Sequence, residues 1–83
     1  MDNARALTKG EYLVGITFNP GNNADVDNIK CKAADLIDAI EELRKEEMAT
    51  VAQSQQVARC KATAITCVEE GAMWAVKAAT KPA

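Results

Sequence analysis

The sequence predicts an all-α fold: an antiparallel two-helix hairpin with a short extended N-terminal arm, assembling into a helical-bundle oligomer. Three observations predict it. Val26, Ile29, Ala33, Leu36, Ile40 and Leu43 are spaced 3, 4, 3, 4 and 3 apart, the repeat of a helical seam, and Ile37 widens it. Laid at about 100° per residue, the stretch Arg59–Pro82 also separates into two faces, with Ile65, Val68, Ala72, Val76 and Ala79 on one of them. Finally, the chain has 83 residues and is 48% hydrophobic, yet it holds one Phe, one Tyr and one Trp. A domain this small and this poor in bulky groups completes its core by sharing it with other copies.

Residues 1–10 are polar and end at Gly10. Tyr12–Phe18 (YLVGITF) is rich in β-branched and aromatic residues and reads as an extended segment. Asn19-Pro20-Gly21-Asn22 follows, with Pro and Gly at the second and third positions of a type II turn. These make an arm and turn over 1–22, and the hairpin over 23–83 is the single domain. Helix one starts at an Asn22 or Asn23 cap, has Asp25 in its first turn, and runs to about Glu47. Met48–Gln56 carries the connection, with Thr50 or Ser54 as the next cap. Helix two then continues to about Ala79 and stops before Pro82. Gly71 inside it costs about 1 kcal/mol relative to Ala, and close approach of another helix or a ligand is the use that offsets this.

Ten Lys and Arg against twelve Asp and Glu leave a net charge of −2, which argues against general affinity for DNA or RNA polymers. No His is present, so His-dependent acid–base catalysis and His-ligated metals are excluded. Cys31, Cys60 and Cys67 form no paired spacing. The last two, seven apart on a helix, are separated by about 10 Å of rise, too far for a disulfide. The thiols are therefore read as free, buried or inert, in a reducing cytosol. The start shows no signal-peptide pattern, and no apolar run reaches the length of a membrane span.

Two places can carry chemistry. The NPGNN turn enters helix one with backbone N–H groups able to meet phosphate, with Lys30 and Lys32 close by and Tyr12 or Phe18 to stack on a base. Read alone, that region is as well explained by a turn, a cap and two solvated lysines. The second place is the other face of helix two: Arg59, Thr63, Thr66, Glu70, Met73, Trp74 and Lys77. Arg59 can grip a phosphate bidentately, the threonines can donate or accept, and Glu70 can accept from a base edge. The competing account packs Met73 and Trp74 into a subunit interface and pairs the cations with acids. Glu69/Glu70 and Glu41/Glu42 are adjacent, so each pair splits across helix faces. No catalytic constellation, metal-ligand spacing or cofactor motif emerges, and the protein is read as a non-enzyme.

The set Arg59, Thr66, Gly71-Ala72-Met73, Lys77-Ala78 and Pro82, preceded by Ile29-Lys30 and Lys32-Ala33, resembles the hairpin domain of phage anti-CBASS and anti-Thoeris sponge proteins. The likeness covers about residues 18 to 82. It implies a homohexamer, a trimer of dimers, that sequesters cyclic dinucleotides, trinucleotides or both without cleaving them, in the cytoplasm of the infected bacterial host. It also implies site residues. Lys30 with Tyr12 or Phe18 would serve a cyclic dinucleotide between two subunits, and Arg59, Thr66 and Gly71 would converge about a threefold axis on a cyclic trinucleotide. Lys77 stands where that family often has Arg, and Cys60 where it often has an aromatic. The alternative function is a non-catalytic helical adaptor or structural phage protein acting through helix–helix interfaces.

Overall fold

A computed structural model describes residues 6–45 and 50–82. Three helices follow in order: α1 (Lys9–Val14), α2 (Ala24–Glu41) and α3 (Val51–Thr80). They lie as a thin slab, 51 × 36 × 12 Å, in which α2 contacts both α1 and α3. No strand occurs among the described residues.

The segment expected to be extended, Tyr12–Phe18, is instead the end of a short helix and the turn that follows it. Thr8-x-x-Glu11 closes a capping box: Glu11 N donates to Thr8 Oγ1 (3.1 Å), and Thr8 N donates to Glu11 Oε1 (2.9 Å). After the six residues of the helix, Gly15 takes a left-handed conformation (φ 66°, ψ 54°). Gly15 N then bonds Tyr12 O and Ile16 N bonds Glu11 O, a Schellman ending. These two local stops outweigh the β-branched composition of YLVGITF. One turn too short to stand alone, α1 is held by α2. Gly10 N donates to Asp38 Oδ1 (2.8 Å), and Lys9 Nζ meets Glu41 Oε1 (3.1 Å). The Lys9 ammonium holds the Glu41 carboxyl below the usual carboxylate range, so this tether is present at neutral pH and is lost as acid protonates Glu41.

The NPGNN turn forms, with Asn22 N bonded to Asn19 O (2.9 Å), but not as type II. Asn22 (φ 49°), rather than Gly21, takes the positive φ. Asn19 ties the turn to α2 through Nδ2 bonds to Asn23 O and Asp27 Oδ1, both 2.8 Å. Asn23 is the N-cap, its Oδ1 accepting from Asp25 N (2.8 Å) and Val26 N (3.2 Å).

Within α2 the buried row is Val26, Lys30, Ala34 and Ile37. The predicted seam is rotated: Ile29, Ala33 and Ile40 are half-buried, and Leu36 and Leu43 are more than half exposed. The reason is α1, which presses Gly10 onto Ala34 and gives α2 a second neighbour. Helix α2 ends at Glu41, short of the expected Glu47. Arg44 turns left-handed (φ 56°), and Lys61 Nζ from α3 donates to Glu41 O (2.6 Å) and Leu43 O (2.8 Å). A cation on the last carbonyls complements the negative helix end. Residues 46–49, where the expected helix end and the start of the connection fall, lie outside the described residues, as do 1–5 and 83.

Helix α3 begins at Thr50, whose Oγ1 accepts from Gln53 N (3.1 Å), and ends at Thr80 before Pro82. Its inner row, Ile65, Val68, Ala72, Val76 and Ala79, is buried or half-buried, as the periodicity requires. The hairpin is antiparallel but unequal. Lys61 already meets the end of α2, so residues 51–60 run beyond it with Val51 exposed. Among the described residues no helix is long and apolar enough to cross a membrane. All three cysteines are free, as expected, but exposed rather than buried.

Candidate functional site

Lys30 is the centre of the arrangement. A lysine in the apolar row of a helix must satisfy its ammonium or leave the core. Here the residue is only 8% exposed, and Nζ donates to Gly15 O (3.0 Å) and to Phe18 O. Those carbonyls belong to the chain leaving α1, so Lys30 pins that segment over α2. Nζ also lies 5.5 Å from the centroid of the Phe18 ring. An ammonium has three donors, and two are used.

Two cavities meet at this residue. One, about 420 Å³, opens between the end of α1 and α3 and is lined by Leu13, Val14, Lys30, Thr66, Glu69 and Met73, among others. The second, about 490 Å³, lies toward the turn and is lined by Phe18, Pro20, Lys30, Val76 and Thr80, among others. Both volumes fall within the range of about 300–1,000 Å³ of small-molecule pockets.

The structure therefore joins Lys30 to Phe18 and, through the first cavity, to Thr66. Tyr12 sits on α1, largely exposed, and lines neither cavity. Arg59 and Gly71 are exposed on α3 and also lie outside both. Twelve residues of helix separate those two by about 18 Å of rise, so one chain strings Arg59, Thr66 and Gly71 along a line. Nothing lies within 4 Å of a Cβ built on Gly71. Gly71→Ala should thus raise the stability of the chain by about 0.5–1 kcal/mol, read as a higher urea midpoint.

The outer stripe of α3, from Arg59 through Thr63, Thr66, Glu70, Met73 and Trp74 to Lys77, is exposed throughout. Lys77 Nζ stands 5.0 Å from the Trp74 ring centroid. Lys32 is exposed as expected, whereas Lys30 is not solvated. The first-turn donors of α2 are taken by Asn23, with Asp25 and Asp27 beside them, so the helix start is no open phosphate cradle. Sequence reasoning missed Leu13, Val14 and Glu69 as pocket residues. It also split Glu69 from Glu70, yet both line the first cavity, as positions three and four after Thr66 can.

The family model of the Acb2/Tad1 hairpin domain matches residues 11–80, from within α1 to the end of α3. The chain belongs to that family. Acb2/Tad1 proteins are phage anti-CBASS and anti-Thoeris sponges that sequester cyclic nucleotides. The match takes in α2, α3, the last four residues of α1 and every residue named as lining either cavity. No curated protein and no solved structure matches the chain.

Proposed function

We propose that this member is a non-catalytic sponge for cyclic dinucleotides, cyclic trinucleotides or both, working as a homohexamer built as a trimer of dimers. One observation carries the reading: a buried ammonium, Lys30, placed beside an aromatic face, Phe18, at the junction of two nucleotide-sized cavities. A cyclic dinucleotide is a dianion with two π faces, and enclosing it takes cations and stacking surfaces together. One chain brings a single such pair, and symmetry multiplies it. Tyr12, exposed on α1, would stack from a neighbouring copy. The same logic applies to Arg59, Thr66 and Gly71, whose linear spacing on α3 can surround a ring only across copies. Exposed Leu36, Leu43, Met73 and Trp74 on so thin a slab supply apolar surface for that assembly. The absence of His from the sequence fits capture rather than hydrolysis.

The test is uptake and release. Incubation with a panel of cyclic di- and trinucleotides should deplete at least one of them, and heating the protein should return it intact by chromatography. Linear products would mean a phosphodiesterase, and no uptake would end the reading. Arg59→Ala should abolish trinucleotide binding while leaving the assembly unchanged on a sizing column. Dissociation of the assembly would instead support the adaptor alternative.

A further inference from the structure

The first cavity is electrically split. Lys30 is buried on the α2 side, while Glu69 and Glu70 line it from α3, with Leu13, Val14 and Met73 as apolar walls. Among the described residues no ion pair or hydrogen bond joins either glutamate side chain to a partner, and Lys30 spends its bonds on backbone carbonyls. Glu69 is half-buried and Glu70 exposed, so Glu69 lies deeper and Glu70 toward the rim. A half-buried carboxylate stays without a partner only at a cost. It would also repel a phosphate. A ligand that places its phosphate on Lys30 must therefore present hydrogen-bond donors at Glu69.

Resting on the sponge reading, we propose that Glu69 is a specificity residue that selects guanine-containing cyclic nucleotides. Guanine carries two adjacent donors, N1–H and the N2 amino group, aimed in one direction, and a carboxylate accepts both bidentately. The other bases fail at the second oxygen. Adenine sets the N1 lone pair beside its N6 amino group, cytosine sets N3 beside N4, and uracil flanks N3–H with two carbonyls. Each of those lone pairs faces a carboxylate oxygen and repels it. Val14 and Met73, which line the same cavity, offer apolar surface for a flat base to pack on. Glu70, at the rim, adds negative potential that disfavours the acceptor-edged bases further.

The test compares cyclic di-GMP with cyclic di-AMP by isothermal titration, since the two share ring and charge and differ only in the base. The unmodified protein should bind the guanine ring tenfold or more tightly, the scale of one bidentate base contact. Glu69→Gln removes the charge and replaces one acceptor oxygen with a donor amide. It should weaken the guanine complex about tenfold and strengthen the adenine one, because a carboxamide pairs bidentately with adenine. Circular dichroism should show an unchanged helix content in the variant. Glu70→Gln should shift the ratio less. Equal affinities in the unmodified protein, a preference for adenine, or a guanine preference that survives Glu69→Gln would overturn the assignment while leaving the sponge standing. Failure of both rings and of every other cyclic nucleotide to bind would overturn both.

Discussion

Gly10→Ala is expected to unseat α1. The added Cβ would lie 2.1 Å from Ala34 O, 2.8 Å from Ala34 C and 2.9 Å from Ala34 Cα. All three are backbone atoms inside α2, so no side chain can rotate away to make room. Helix α1 must lift instead, and Gly10 N leaves Asp38 Oδ1 while Lys9 is drawn from Glu41. Over-packing of a tight contact costs about 1–3 kcal/mol by itself. The larger consequence follows along the chain: Gly15 O moves off Lys30, whose ammonium is left in an apolar row with one acceptor fewer. We expect a lower urea midpoint and, in hydrogen exchange, loss of protection over 9–14 while the α2–α3 hairpin stays protected. Both cavities contain residues carried by α1 or the segment after it, so ligand affinity should fall with it. Unchanged protection of α1 in the Ala variant would show that the Gly10–Ala34 contact does not seat that helix.

Helix α3 was legible almost whole, because its inner row repeats at helical spacing and Thr50 and Pro82 mark its ends. The start of α2 was legible for the same kind of reason, in Asn23. The end of α2 was not, since it is set by Lys61, twenty residues further along the chain. Helix α1 had a local signal, the Thr8-x-x-Glu11 box followed by a glycine, and the β-branched run after it concealed that signal. Its docking was hidden for a different reason. Nothing local says that Gly10 will meet Ala34 or that Lys30 will be drawn inward, and those contacts rotate the buried face of α2. The site shares this limit. Lys30, Phe18 and Thr66 could each be named from the sequence, but their meeting depends on the turn after α1. Glu69 reads as one more surface acid until α1 closes the cavity over it.

Lys30→Met is expected to have the greatest effect on binding. Methionine has nearly the same reach and suits an apolar row, so the core of α2 should survive. What is lost is the donor to Gly15 O and Phe18 O and the charge beside the Phe18 ring. Gly15 O keeps its bond from Phe18 N, so the part-buried Phe18 carbonyl is the one left without a donor, at a cost of about 1–3 kcal/mol, less where water reaches it. Loss of a charge-assisted phosphate contact repeated by symmetry should lower cyclic dinucleotide affinity by about a hundredfold or more. The two effects separate by experiment. If α1 keeps its hydrogen-exchange protection and affinity still collapses, the ammonium acts on the ligand. If protection and affinity fall together, Lys30 works by holding the turn. Lys30→Arg refines the point, because it preserves charge while replacing a compact ammonium with a planar fork. That fork does not fit between two carbonyls that converge on one atom, so Arg should restore little of the affinity. Full affinity in the Met variant would mean that the phosphates rest on other cations, and Arg59 and Lys77 on the exposed face of α3 would then be the groups to remove.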